Sequence, residues 1–388
     1  MAKDVKRYDM GDYVIFESLD GTLKWLRSKP GRQPMNYNFN YATGGMAMWG
    51  ETRFGKCPPG WMGLAELRNL RASGQWAADD AEFCPYGPEI LDMEVTTICK
   101  GPGGIPCPFC YKGNSPKGTY MPFETFKAVF DKINEGRILT QLAFGVDAQA
   151  ESNPDLWKMM DYCRRNSHNK VIPNLTVADI TEETAMKIAC RCGAVAVSRY
   201  ADKELCYNSI AKLAKTGMTQ INIHVMASKE TLPWIYETVR DAKTDPRLAN
   251  LNAIVFLSLK KKGRGVGYNS LTSEEFSALV KHCMDNQVRI GFDSCSGPKF
   301  LNAIKGMANE VDLAEMCIPC ESSLLSSYVN ELGVYYPCSF CEGAGDWNEG
   351  IDVKTAGSFI KDVWMHVKTC GFRDCLQDNC RNCPMYEV

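Results

Sequence analysis

The sequence predicts an α/β chain, a partial (β/α)6-type TIM barrel with an irregular N-terminal cap and a small Cys-rich C-terminal module. Three observations predict it. Short β-rich runs alternate with amphipathic stretches of helical period between roughly residues 90 and 295. The 388 residues are 45% hydrophobic and 23% charged, which suits one substantial core. Nineteen cysteines stand against only four histidines, and some of them fall at metal-ligand spacing.

Residues 1–88 form the expected cap. Pro, Gly and Asn punctuate this segment, and one hairpin stands out: Tyr13 to Phe16, a turn near Asp20-Gly21, then Thr22 to Trp25. Trp25, Trp49, Trp61 and Trp76, with Met46, Met48 and Met62, read as core, with a substrate-lining surface as the second reading. The barrel is expected over 89–297. Strands are predicted at 90–96, 141–145, 171–176, 194–198, 220–226, 252–257 and 288–293. Helices are predicted at 122–134, 154–165, 181–189, 202–216, 229–243 and 273–286, several entered through an Asp, Ser or Thr suited to N-capping. Strands alternating with helices of this length argue for parallel βαβ units. An open doubly wound sheet has the same periodicity, and the position of the first cysteine loop favours the barrel. After Pro298 the pattern gives way to a module over 298–388 with one hairpin, 323–337, turning at Glu331-Leu332-Gly333.

Lys and Arg (44) nearly balance Asp and Glu (46), so nucleic acid is not the expected partner. No stretch has the roughly 20 apolar residues that span a bilayer, and the opening MAKDVKRYDMGDY lacks the apolar core of a secretory signal. These features predict a soluble cytoplasmic protein without a membrane partner. In that compartment so many cysteines imply metal binding rather than disulfides. With His168, His224, His282 and His366 dispersed, the ligands are expected to be thiolates, which suits zinc or iron-sulfur clusters.

Directly after the first barrel strand comes Cys99-Lys-Gly-Pro-Gly-Gly-Ile-Pro-Cys107-Pro-Phe109-Cys110, a C-x7-C-x2-C loop rich in Gly and Pro. Active sites of α/β barrels sit where strands end in loops. Three thiolates can hold a cubane iron-sulfur cluster and leave one iron open; with a fourth cysteine they would instead close a zinc site. The loop resembles that of radical S-adenosylmethionine enzymes, whose signature is usually C-x3-C-x2-C with an aromatic residue before the last cysteine. Phe109 fills that place, and the first gap here is seven residues.

Further stretches carry the resemblance. Phe144 to Leu156 is similar to the family's second-strand segment, with Asn153-Pro154-Asp155-Leu156 opening the next helix. The resemblance implies that backbone carbonyls near Gly145 to Asp147, or the side chains of Asp147 or Gln149, meet the methionine amino group. Asn174-Leu175-Thr176 resembles the third-strand element, and Val197-Ser198-Arg199-Tyr200 the fourth, which implies Thr176 and Ser198 beside the cofactor. Asn222 or His224, and Lys262-Gly263-Arg264-Gly265, fall where family members line cofactor and substrate; a satisfied structural histidine and an exposed basic loop are the plainer readings.

The tail admits two readings. Cys317-x2-Cys320-x17-Cys338-x2-Cys341 has the spacing of a zinc ribbon. Cys320-x12-Gly333-x4-Cys338 with Cys380-x2-Cys383-Pro384 resembles Twitch, the shortened form of the SPASM auxiliary-cluster module. The second is favoured behind a candidate radical barrel, and implies one auxiliary [4Fe-4S] cluster on Cys320, Cys338, Cys380 and Cys383, with zinc as the alternative. Cys341, Cys370 and Cys375 are further thiols in the same tail, and Cys295, in Asp293-Ser294-Cys295, ends the last candidate strand. Other cysteines read as small buried hydrophobes.

The resemblance implies a [4Fe-4S] cluster on Cys99, Cys107 and Cys110 that binds S-adenosyl-L-methionine, a low-potential electron donor, and hydrogen abstraction from a substrate. A peptide or protein side chain is the first substrate class and a small metabolite or nucleotide the second. From another class, the cysteines would support a non-catalytic zinc-stabilised scaffold.

Overall fold

The computed structural model describes residues 5–54, 57–145, 149–165 and 170–387. Five strands open the chain: β1 (Val5–Asp9), β2 (Tyr13–Ser18), β3 (Leu23–Ser28), β4 (Asn36–Asn40) and β5 (Met46–Trp49). They pair in sequence order as an antiparallel sheet. The expected hairpin is present, with Phe16 opposite Trp25, but the cap is a regular meander over 5–49 rather than irregular. A small element follows, with β6 (Thr52–Phe54), α1 (Leu64–Ala72) and β7 (Ala77–Ala78). Trp25, Trp49 and Trp76 are buried, and Trp61 is exposed.

The barrel strands are β8 (Ile90–Met93), β9 (Gln141–Phe144), β10 (Ile172–Val177), β11 (Ala194–Arg199), β12 (Ile221–Ala227), β13 (Ala253–Ser258) and β14 (Ile290–Phe292). Between them run α2 (Phe123–Ile133), α3 (Leu156–Arg165), α4 (Glu182–Ala189), α5 (Lys203–Lys215), α6 (Leu232–Thr244) and α7 (Ser273–Asp285). All neighbouring pairs from β8 to β14 are parallel. Alternation sets the two faces of each strand: Ile221, Ile223 and Val225 are fully buried in the shell beneath the helices, while Asn222, His224 and Met226 turn to the opposite, inner face. In α2, Phe123, Phe126, Val129, Phe130 and Ile133 recur at helical spacing and form the buried stripe. Helix α7 begins in a capping box between Thr272 and Glu275, which satisfies two N-terminal amides.

The tail does not leave this sheet. After α8 (Gly297–Ala303) and α9 (Glu310–Ala314), β15 (Ser326–Val329) pairs in parallel with β8, placing Ser326 opposite Ile90. β16 (Val334–Tyr336) and β17 (Ile351–Asp352) extend it antiparallel, and α10 (Val367–Asp378) follows. The sheet order is thus β14-β13-β12-β11-β10-β9-β8-β15-β16-β17, an unclosed barrel whose sheet edges are β14 and β17.

The meander packs against the N-terminal rim. Tyr13 Oη donates to Gly136 O at 2.7 Å, Tyr37 Oη to Ile138 O at 3.1 Å and Lys24 Nζ to Leu139 O at 2.6 Å, all just upstream of β9. The opposite rim is left for the cysteine loops. Among the described residues no helix is long and apolar enough to cross a membrane.

Candidate functional site

The loop after β8 is shaped by its own backbone. Cys99 N donates to Ser115 O at 2.9 Å, which returns the loop towards its stem. Gly101 has φ +81°, and a Cβ there would lie 1.8 Å from Ile105 O, so only glycine fits. Gln149 clasps the same turn: its Oε1 accepts from Lys100 N at 2.6 Å and its Nε2 donates to Gly101 O at 3.0 Å. On the far side Arg264 N donates to Cys110 O at 3.0 Å and Arg264 Nε to Cys107 O at 2.8 Å. Arg264 therefore holds the cysteine loop by its carbonyls.

Cys99, Cys107 and Cys110 are all partly exposed. Tyr200, just beyond β11, gathers them: burial pushes its hydroxyl well above the usual range, with Cys107, Cys99 and Cys110 adding to the shift. Burial also raises the Cys107 thiol to about 11. Phe109 is buried, stacked on Tyr200 with centroids 5.9 Å apart and edge-on to Tyr268 at 5.5 Å. Three soft donors on one braced loop are the ligand type that iron-sulfur clusters take. Among the described residues, no group of three or more His, Cys, Asp or Glu is drawn into ligand geometry for a single metal ion.

The neighbouring strand ends carry part of the expected cofactor set. Gly145 follows β9 with φ +86° and donates its N–H to Met93 O at 3.0 Å. Thr176 and Ser198 occupy the penultimate positions of β10 and β11, at the rim. Asn222 instead is the second residue of β12, deeper in the barrel, and its Oδ1 accepts from Asn252 Nδ2 at 2.9 Å. Asp147 lies outside the described residues. His224 lies higher on the strand than Asn222; burial pushes its imidazole down to about 4, with nearby Asp293 opposing, so it is neutral at neutral pH.

In the tail, three of the expected residues, Cys320, Cys338 and Cys383, share a neighbourhood with Cys341. Cys338 Sγ and Cys341 Sγ are 3.5 Å apart, and the hydrogen bond between them lowers the pKa of the Cys338 thiol while raising that of Cys341. Cys320 feels both Cys338 and Cys383, and Cys341 feels Cys383, so these four share one neighbourhood. Cys380 is exposed, in a left-handed turn at φ +50° after α10. Cys317 Sγ turns towards Gly297 O at 3.7 Å.

Two residues of a further group at the ends of β13 and β14 had no sequence signal beyond their place. Lys260 Nζ meets Asp293 Oδ2 at 2.5 Å, and Asp293 also accepts from Ser258 N at 3.0 Å and Ser296 Oγ at 2.7 Å. Burial opposes the Lys260 charge, but Asp293 and Cys295 more than offset it, and the ammonium is held above the usual lysine range. Cys295, singled out by its position after the last strand, has Cys320 and Cys338 among its electrostatic neighbours. It thus lies between the barrel interior and the tail thiols.

No family model matches the sequence, and no curated protein matches it. Among solved structures the chain is similar to BtrN, crystallised in complex with AdoMet and 2-DOIA, at 11% identity and a TM-score of 0.42, over 75% of this chain and 87% of that one. It is similar to HydG, a maturase of the [FeFe]-hydrogenase, at 13% identity and a TM-score of 0.41, over 54% of this chain and 52% of that one. A third is the FeFe-hydrogenase maturase HydG from Carboxydothermus hydrogenoformans, at 12% identity and a TM-score of 0.41, covering 65% and 61% of the two chains.

Proposed function

We propose that the chain is a radical S-adenosylmethionine enzyme. The observation that carries the reading is the C-x7-C-x2-C loop at the C-terminal end of the first barrel strand, its three thiols gathered around Tyr200 and flanked by Gly145, Thr176 and Ser198 on the next strand ends. Cys99, Cys107 and Cys110 would hold a [4Fe-4S] cluster. With S-adenosylmethionine and a low-potential electron donor, a cluster bound there would supply radical chemistry for hydrogen abstraction from substrate. The chain's own residues orient and shield: Gln149 and Arg264 fix the loop, Phe109 walls the site with an aromatic face, and Thr176 and Ser198 offer hydroxyls at the rim.

Cys320, Cys338 and Cys383 would hold an auxiliary cluster, with the fourth thiolate from Cys341 or from Cys380. The contact of Cys317 Sγ with Gly297 O engages that thiol and weighs against the zinc ribbon. An auxiliary cluster there would supply electron-accepting or substrate-orienting chemistry, and we propose a peptide or protein side chain as the substrate. The docking of residues 5–49 on the opposite rim favours a second reading, a small metabolite, because this sheet offers no peptide-holding surface at the mouth.

Anaerobic reconstitution tests the proposal. About eight irons per chain and cleavage of S-adenosylmethionine to 5′-deoxyadenosine after reduction are expected. About four irons with stoichiometric zinc would move the tail to a zinc site, and a colourless protein without iron would sink the radical reading.

A further inference from the structure

The two C-x2-C turns are built against each other. Tyr111, one residue after Cys110, donates from Oη to Ser339 Oγ at 2.8 Å, and its ring lies 4.1 Å, centroid to centroid, from that of Phe340. Both Ser339 and Phe340 lie inside Cys338-x2-Cys341. Lys112 reaches in the same direction. Its ammonium is paired with Glu94 at 2.8 Å and with Glu342, and its side chain is only 8% exposed. Tyr328 Oη donates to Glu94 at 2.7 Å, and Asn330 Nδ2 to Glu342 at 2.8 Å, so both carboxylates are further anchored in β15 and its turn.

A third segment closes the joint. Lys262 Nζ donates to Phe340 O at 3.0 Å and to Glu342 O, while Arg264 holds the carbonyls of Cys107 and Cys110. Gly263 lies between them, where a Cβ would meet Tyr111 O at 2.5 Å. Removing this buried cation would leave the fully buried Glu94 carboxylate without its counter-charge beside Glu342.

We infer that Tyr111 and Lys112 are positioning residues that couple the two cysteine sets, so that metal held by the tail set fixes the loop set in its ligating form. The inference rests on the functional reading above and adds to it a thermodynamic link between the sites. Outer contacts of this kind commonly change metal affinity by about 10–100-fold.

The test follows iron loss from the full, anaerobically reconstituted chain to a coloured chelator, with electron paramagnetic resonance of the reduced protein to distinguish the two sets. Emptying the tail with Cys338→Ala should speed loss of loop iron by about tenfold. Lys112→Met should produce a similar acceleration with the tail still filled, and the double variant should be no faster than the quicker single. Tyr111→Phe, which keeps the ring contact, should act in the same direction more weakly, and it serves where Lys112→Met fails to fold. Loop iron lost at the wild-type rate in the tail-emptied variant, or accelerations that multiply in the double variant, would overturn the coupling while leaving the radical reading intact. A wild-type chain that takes up no iron would overturn both.

Discussion

The two rims of the barrel are made of different materials. At the N-terminal rim, Tyr13, Tyr37 and Lys24 of the meander are buried and each donates to a backbone carbonyl between Gly136 and Leu139. At the C-terminal rim the turns need glycine at Gly101, Gly145 and Gly263, and the loop thiols stay partly exposed. One rim satisfies polar groups with protein partners and contributes stability. The other presents partly exposed thiols at the strand ends, which is where α/β barrels place chemistry. Variants of the first should therefore alter unfolding, and variants of the second metal and cofactor chemistry.

The largest expected effect lies on the cysteine loop. Replacing Cys99, Cys107 and Cys110 together with Ala should abolish 5′-deoxyadenosine formation, read by chromatography, and lower bound iron by about four per chain. The metal-free variant should unfold at the same denaturant concentration as the metal-free parent, because the thiols are not core packing. Residual cleavage at the parental rate would disprove the assignment.

A second variant pair sharpens the tail. Cys341→Ala should lose the auxiliary iron and Cys380→Ala should keep it, since Cys341 lies beside Cys338 and Cys380 is exposed. Cleavage of S-adenosylmethionine should remain measurable in both variants, and formation of an oxidised product only in Cys380→Ala. The reverse pattern of iron content would support the ligand set that the resemblance implies.

The difference between those ligand sets shows what spacing conveys. Both candidates stand in C-x2-C pairs, and the sequence does not tell which turn folds inwards; the Cys341 N–H closes on Cys338 O at 3.1 Å, whereas Cys380 follows the end of α10. The barrel was more legible. The helix expected at 273–286 is observed as Ser273–Asp285, because Thr272 and Glu275 mark its start and the apolar stripe marks its face. The meander was legible only in its first hairpin. β4 reads Asn-Tyr-Asn-Phe-Asn, which resembles loop composition, and it is a buried strand in which partners distant in sequence meet part of its amide set: Asn36 Nδ2 donates to Gly50 O, and the Arg27 guanidinium donates to Asn38 Oδ1. The eighth parallel position, filled by β15 beside β8, joins residues more than 200 apart, and no local pattern encodes it.

Below the N-terminal rim a pH effect is expected. Glu89 is 3% exposed, and burial together with Glu321 pushes its carboxyl up to about 8, against the pull of Lys24. Its folded value lies above the unfolded one, so its contribution is fully present below the unfolded pKa of 4.5 and is lost as pH rises to about 8. Glu89→Gln should remove a slope of up to a few kcal/mol, roughly 1.4 per pKa unit at most, between pH 5 and pH 8. Urea midpoints at the two pH values give the measurement, and a slope unchanged by the substitution would show that Glu89 is not its source.

The smallest effect tests the stabilising rim alone. Tyr37 is fully buried and its Oη donates to Ile138 O at 3.1 Å, so Tyr37→Phe keeps the ring and removes one donor from a buried carbonyl. A lost partner of this kind costs about 1–3 kcal/mol when the acceptor is left dry. The meander contacts the barrel upstream of β9, whereas the cysteine loop follows β8 at the other end. The folded variant should therefore keep its iron content and its rate of S-adenosylmethionine cleavage while its urea midpoint falls. If cleavage per folded molecule drops in proportion to stability, the two rims are energetically joined through the strands and the division of labour between them is wrong. If the midpoint alone moves, the stability and the chemistry of this barrel can be varied separately.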